Sequence, residues 1–493
     1  MYRLRHRQLI ALLALAACGN AAATNGYFAH GYSLSQKAMG GAGTALADDA
    51  LAVTQNPAGL AGQGHRLDIG FGYFSPQRRY DASERGPDAE AGIFTVEPGG
   101  SRSSRERFLV PAIGWARPLN ERWTAGIALY GNGGMNSDHR HNAALFAQGL
   151  PGFETRCAGS FGGGAPQQDD NAGFCGNARS TASVDLIQLF LAPTLAWSPR
   201  RNLHLGISPI FAAQRFQAIG LQAFAQFSNR PDRVSDKGYD YAYGGGYRVG
   251  LRYEAGPLGL GASYQSRIEM GRFDKYGGLF ADNGAFDIPE NWNLGLALRL
   301  AVRHALVYDF QRIRYNSVRS VGNPLDPNRF VNDCALPRLR GDGSDSPACL
   351  GATTGPGFGW QELSVHKFGY EYAGDFLKLR LGYSRNRQPI PSTEVLFNIL
   401  APGVPEVHYT AGVSFRLSPR VAVDLSLMHA ARNPVTGKNP LSHATVSGPE
   451  LVSALLVPGS VDTSNAFGAD PQDQDITLDM KQTEAVIGLS YRF

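Results

Sequence analysis

In stretch after stretch of this chain every second residue is apolar, and that alternation limits the folds open to it. In EAVIGLSYRF, Ala485, Ile487, Leu489, Tyr491 and Phe493 fall on one face, and Glu484, Val486, Gly488, Ser490 and Arg492 on the other. HYTAGVSFRL sets Tyr409, Ala411, Val413, Phe415 and Leu417 against Thr410, Gly412, Ser414 and Arg416. LKLRLGYS and WNLGLALRL repeat the pattern, with Leu377, Leu379 and Leu381 opposite Lys378 and Arg380, and Trp292, Leu294 and Leu296 opposite Asn293 and Gly295. A period of two is the period of a β-strand. After the first two dozen residues no apolar run reaches the roughly 18 residues of a membrane-spanning helix. Alternation alone does not separate a soluble sandwich, apolar face inward, from a membrane barrel, apolar face outward.

Connection lengths separate them. The alternation marks about fourteen strands, near 64–80, 105–116, 123–134, 182–197, 203–217, 239–253, 258–270, 290–300, 303–318, 360–373, 376–385, 405–417, 420–431 and 481–493. The joints after even-numbered strands are short: RPLNER, SPRRN, EAGP, AV, GD and SP. Those after odd-numbered strands are long. An even strand count with short and long joints in turn is the pattern of a membrane β-barrel with tight periplasmic turns and large outer loops. The expected fold is all-β, an antiparallel barrel. The tryptophans agree: Trp115, Trp123 and Trp197 fall at short-turn strand ends, Trp292 and Trp360 at long-loop ends, as two interfacial girdles. The terminal aromatic, Phe493, resembles the assembly signal of bacterial outer-membrane proteins, so the barrel-assembly machinery and outer-membrane lipid are expected partners.

Composition fits. The 493 residues include 60 glycines and 20 tyrosines, and only 18% are charged. Residues 1–23 read as a signal peptide: Arg3, Arg5 and Arg7, then the short apolar run LIALLALAA, then Ala21–Ala23 before a cut at Thr24. LAAC, ending at Cys18, also fits lipoprotein processing, and both cuts stay open. The formal charge of +4 owes most of its excess to the leader arginines, so it does not point to nucleic acid. Four further cysteines form two close pairs, Cys157 with Cys175 and Cys334 with Cys349. In an exported chain these read as loop-closing disulfides, since neither CxxC nor a flanking histidine pair suggests a metal.

Thr24 to Leu60 precedes the first strand and is too short for a domain. A fourteen-strand barrel has a lumen that wall side chains do not fill. Residues 24–62 therefore read as a hatch inside a barrel of residues 63–493. Gly40, Gly41 and Gly43 allow tight folding, TALADDALAV can form a helical turn or two, and Pro57 ends it. Asp48 and Asp49 can meet inward arginines, with Arg248, Arg299, Arg380 and Arg416 as the candidates.

The run TNGYFAHGYSLSQKAMGGAGTALADDALAVTQNPAGLA resembles the N-terminal hatch of FadL-type outer-membrane transporters for long-chain fatty acids and hydrophobic compounds. The resemblance continues through VPAIGWARPLNERWTAGIALYGNGGMNSDH, FNILAPGVPEVHYTAGVSFRLS and GLSYRF. It implies passive uptake of a fatty acid, alkane or aromatic hydrocarbon, gated by the hatch, with sideways exit through a kink in strand 3. It also implies site residues. Thr24, Asn25, Gly26, Tyr27 and Phe28 match the hatch N-terminus at an inner pocket. Asn56, Pro57 and Ala58 match a hatch motif facing the kink. Gly131, Gly133 and Gly134 interrupt strand 3 where the kink belongs, though glycines at a loop entrance read the same way. For an outer groove, the apolar loop segments LFAQGLPGF and LQAFAQF offer Leu145, Phe146, Phe224 and Phe227, the last two on one face with Leu221 only if that loop is helical.

Other classes fit less well. GxSxG, HExxH and GxxxxGK[ST] are missing, so neither an enzyme nor a nucleotide-driven pump is expected, and no cofactor or metal is called for. The alternative that shares the barrel is a general hydrophilic porin, which the plug-like segment and apolar loops argue against.

Overall fold

The computed structural model describes residues 25–140, 144–146 and 181–493. Residues 1–24, with the expected signal peptide and Thr24, lie outside the described residues. Cys157 and Cys175 lie outside them too, so the disulfide expected between Cys157 and Cys175 is not among the bridges seen. The body is a closed antiparallel barrel of fourteen long strands. These are β1 Arg66–Ala82, β2 Phe108–Pro118, β3 Trp123–Arg140, β4 Thr181–Arg200, β5 Leu203–Ile219, β6 Asp240–Ala255 and β7 Leu258–Gln265. They continue as β8 Asn291–Ala301, β9 His304–Ile313, β10 Leu363–Ala373, β11 Leu377–Asn386, β12 Val407–Arg416, β13 Val421–Ala430 and β14 Asp475–Arg492. Each pairs with its sequence neighbour, and β1 closes the ring on β14 from Arg66↔Arg492 to Ala82↔Ile476. Closure leaves no edge, which is what a strand in lipid requires.

All fourteen strands stand where the alternation places them. The apolar face points outward: Leu381, Ile487, Leu427 and Phe71 are exposed, while Arg380, Glu484, Asp309 and Lys367 on the other face are buried. Trp123 and Trp197 stack at 5.7 Å at the short-turn rim, and Trp115 is half-buried beside them. At the opposite rim Trp292 stands with Phe310. Trp360 is not in that girdle. It lies in the loop before β10, only 1% exposed, with its indole N–H donated to Asn398 Oδ1 at 2.6 Å. Its position in sequence marked a strand end, but the chain there turns into the lumen.

The long loops pack into a cap. Of the two expected disulfides, the one seen joins Cys334 and Cys349 within the β9–β10 loop. Phe94–Val96 pairs with Ala144–Phe146 as a small separate sheet.

The segment before β1 fills the lumen. A short helix, Leu34–Ala38, starts at a capping box on Ser33, and two 3-10 turns follow at Ala50–Thr54 and Pro57–Leu60. Nearly all of this segment is buried. The glycines of the inward faces make its seat. A side chain at Gly250 would overlap Asn56, one at Gly206 would overlap Pro57, and one at Gly382 would overlap Gly40. The polar-face glycines of the alternating strands are thus places where hatch backbone touches wall backbone.

Candidate functional site

Three apolar stations lie one behind another. The outermost is a groove in the loop cap. Phe224, on the 3-10 turn Gln222–Phe227, packs against Phe94 at 5.0 Å and Phe397 at 5.7 Å between ring centroids. Phe216, Phe280, Phe358, Met135 and Leu400 complete most of the lining. Phe227, on the same turn, faces away and packs on Phe330 at 5.5 Å. Of the expected groove residues, Phe224 lines it and Phe227 does not. Leu145 and Phe146 belong to the strand paired with Phe94 and Thr95.

The second station is a throat of aromatic rings. Asn25, Gly26, Tyr27 and Phe28 close a tight turn, with Asn25 N–H donating to Phe28 O at 2.9 Å and Gly26 at φ +66. The turn puts the Tyr27 ring 5.0 Å from Tyr315, 5.7 Å from Trp360 and 6.2 Å from Phe286. Phe28 meets Tyr315 at 5.7 Å. The Tyr315 hydroxyl is donated to Asn25 O. All these rings are buried, so the hatch end fills the space between them.

The third station is a slot in the wall. β2 and β3 pair only from Pro118↔Thr124 to Ala112↔Tyr130. Beyond that pair β2 stays on β1 and β3 stays on β4, so the two strands part. Pro111, the next β2 residue, has no N–H for a ladder. On β3 the register slips between Gly131 and Gly133, leaving Asn132 as a bulge. Ser103 bridges His139 further along, and this closes the slot from above. Val110, Ala112, Tyr130, Gly131, Tyr32 and Leu34 line it. From Asn132 to His139 both faces of β3 are buried, as in a strand bent into the lumen.

The bulge is tied to the hatch. Ala29 N–H donates to Asn132 O at 3.1 Å, Gly134 N–H to Tyr27 O at 3.1 Å, and the Tyr32 hydroxyl to Asn132 Oδ1 at 2.9 Å. The amide of Asn132 reaches Gln188 Oε1 at 2.8 Å. The three glycines flagged in strand 3 do flank the bulge, but its centre is Asn132, a residue the glycine pattern drew attention away from. Asn56, Pro57 and Ala58 lie elsewhere. Asn56 donates to Thr44 O at 2.8 Å and Leu251 O at 3.0 Å, seating this motif on β5 and β6, while Tyr27 to Tyr32 face the bulge.

Buried charges hold the hatch to the wall. Asp48 pairs with Arg380 and, at 2.6 Å, with Lys378. Of the four candidate arginines, only Arg380 meets a hatch aspartate. Arg248 instead donates to Val53 O at 3.2 Å and the Tyr130 hydroxyl at 3.1 Å, and Arg299 and Arg416 are exposed. Asp49 accepts from the Ser35 hydroxyl at 3.0 Å. Three anchors were not singled out from sequence. Asp309 Oδ2 accepts from Gly43 N–H, Thr44 N–H, the Thr44 hydroxyl and Gln55 Nε2, all within 2.7–2.9 Å. Lys367 Nζ donates to His30 O at 3.0 Å, and Lys37 meets Glu484. Their signal was present: an ionisable residue on the inward face of a membrane strand needs a partner there. In the loop cap, burial pushes the Glu394 carboxyl up to about 7, against a hydrogen bond from Leu325 N–H. Among the described residues no cluster of His, Cys, Asp or Glu could hold a metal ion.

Residues 13–150 match the family described as outer membrane protein transport protein (OMPP1/FadL/TodX). No curated protein sequence matches the chain. Among solved structures, the Pseudomonas putida toluene transporter TodX is 16% identical with a TM-score of 0.59, the match covering 94% of this chain and 99% of that one. A Pseudomonas aeruginosa FadL homologue is 15% identical with a TM-score of 0.59, covering 95% and 100%. The Ralstonia pickettii toluene transporter TbuX is 15% identical with a TM-score of 0.54, covering 94% and 99%. At such identities these likenesses speak for the fold. The apolar girdled barrel places the protein in the bacterial outer membrane. Over residues 13–150 the chain thus matches the FadL-type family of outer-membrane transport proteins, and over nearly its whole length it shares the fold of these solved structures.

Proposed function

We propose that this protein takes up hydrophobic molecules by passive diffusion, gated by its hatch, with sideways exit at β3. One observation carries the reading: the apolar groove, the aromatic throat and the slot between β2 and β3 form a series that ends in the wall. An apolar molecule gains about 0.8 kcal/mol per CH₂ kept out of water, so an exit into lipid suits it better than an axial pore. The solved structures of like fold include toluene transporters and the monoaromatic hydrocarbon channel CymD, in keeping with such cargo. In this scheme the ligand enters the groove and displaces the Asn25–Phe28 turn from the throat. Movement of that turn then frees the bulge to which it is bonded. The buried hatch argues against a general porin, which needs an open axial lumen.

The test is uptake in cells lacking their own outer-membrane hydrophobe channel. Cells expressing this chain should accumulate labelled toluene or oleate and gain no permeability to a small sugar. Free sugar passage without hydrophobe uptake would overturn the reading.

A further inference from the structure

We propose that the short-turn rim of the barrel carries a binding site for the phosphate head of an anionic phospholipid. The site is a pocket where the turns after β10 and β12 meet the end of β14. It lies apart from the three stations of the uptake route and shares no lining residue with the groove or the slot.

Three arginines line this pocket without a partner. Arg416 ends β12 and Arg420 precedes β13, on either side of a turn closed by Leu417 N–H donating to Val421 O at 2.9 Å. Arg492 N–H donates to Arg420 O at 2.8 Å, which sets the third arginine beside the second. By strand alternation Arg416 and Arg492 lie on the lumen side, like Ser414 and Ser490 two residues further in. All three are exposed, and among the described residues none of their guanidiniums makes an ion pair or a hydrogen bond. The acids of the lining are engaged elsewhere. Asp48 pairs with Lys378 and Arg380, and Asp375 with Arg303 at 3.1 Å. Asp424 accepts from the Ser414 hydroxyl and lies 3.8 Å from Arg380, and Asp49 accepts from Ser35 N–H at 3.2 Å. The fourth lining arginine, Arg66, is held by Asp68 at 2.6 Å. Three planar guanidiniums are left on one opening, and their fixed donors suit a phosphate.

The position of the pocket assigns that phosphate to a lipid. The rim is the one that carries Trp115, Trp123 and Trp197, whose rings mark the membrane interface. Phe376 lines the pocket and is exposed, as are Leu417 and Phe493, the residues that follow Arg416 and Arg492. The arginines therefore stand where head groups give way to acyl chains, with apolar side chains at hand for the chains. The rest of the rim has the same sign. Arg117, Arg122, Arg200, Arg201 and Arg299 are exposed without an ion pair, and Glu121 is the exposed acid that faces them. Cations gathered at a membrane surface attract anionic lipid.

Native mass spectrometry of the purified full-length protein in neutral detergent tests the proposal, with phosphatidylglycerol, phosphatidylcholine or glycerol 3-phosphate added. Phosphatidylcholine has the same phosphate, its charge offset by choline. Phosphatidylglycerol should be retained at a concentration about tenfold or more below that needed for phosphatidylcholine. The triple variant Arg416→Gln, Arg420→Gln, Arg492→Gln should lose this preference. The triple variant Arg117→Gln, Arg200→Gln, Arg201→Gln removes the same charge from the rim outside the pocket, and it should keep the wild-type affinity within about threefold. Heat-resistant migration on gels shows that each variant is folded, and the comparison of lipids on the wild type decides even where a variant is not. Equal retention of the two lipids would overturn the proposal. Equal loss in both variants would also overturn it, since the whole basic rim would then attract lipid without a site. Glycerol 3-phosphate held as tightly as phosphatidylglycerol would overturn the assignment to a lipid.

Discussion

Gly133 has no space for a side chain, because a Cβ there would overlap the carbonyl oxygen of Tyr27. That carbonyl accepts from Gly134 N–H, and Phe28 bridges Gly133, so the hatch end is docked backbone to backbone. Gly133→Val should expel the Asn25–Phe28 turn from the throat at a cost of about 2 kcal/mol, the worth of two hydrogen bonds. Trp360, which the Tyr27 ring touches, should report it as a shifted fluorescence spectrum from a barrel that still melts as one. Glu394 gives a pH-dependent counterpart in the loop cap. Its carboxyl is held up at about 7 by burial, so the folded loop prefers the protonated acid. The stability this contributes is complete below the ordinary carboxylate range and is lost as pH rises through about 7. Glu394→Gln should match the wild type near pH 5 and protect the 387–406 loop better near pH 8, by on the order of 2 kcal/mol, read by hydrogen exchange. Identical pH profiles for the two proteins would contradict this assignment.

At the level of elements, the slot depends on one extra residue. Asn132 throws β3 out of register with β4, and past Tyr130 the strand no longer meets β2. Deleting Asn132 restores the alternation, and the β2–β3 ladder should extend beyond Ala112 and Tyr130. Hydrophobe uptake should then fall at least about tenfold in a barrel of unchanged heat resistance. Undiminished uptake would show that cargo leaves by another route. The strands themselves were legible because lipid outside and a polar lumen inside impose a two-residue period on every crossing. The bulge was only half legible. Gly131, Gly133 and Gly134 marked the place, yet which residue is extruded depends on Pro111 across the gap and Gln188 alongside, both distant in sequence. Trp360 misled for a related reason: a tryptophan near a strand end suits an interface, and only the fold of the loop carries it inward.

For the whole molecule, the question is what keeps a wide barrel closed. The hatch contributes little core of its own, since its longest helix is the five residues Leu34–Ala38. It is held by the wall, through glycines that let it approach and buried charges that fix its register. That dependence explains why the seat was hard to read: Asp309, Lys367 and Glu484 sit far along the chain from the backbone groups they bind. Asp309 is the most loaded of them, one carboxylate oxygen receiving four donors from Gly43, Thr44 and Gln55. Asp309→Ala leaves those donors buried without an acceptor, each costing about 1–3 kcal/mol. The hatch should loosen while the barrel, closed by its own ladder, stays folded. In planar bilayers the wild type should be nearly silent to ions and the variant should show frequent openings. Sugar permeability should rise in cells carrying the variant, with heat-resistant migration on gels unchanged. A silent Asp309→Ala channel would mean that the glycine seat and the Asp48–Arg380 and Lys37–Glu484 pairs suffice to hold the hatch. Closure would then be shared across the lumen rather than fixed at Asp309.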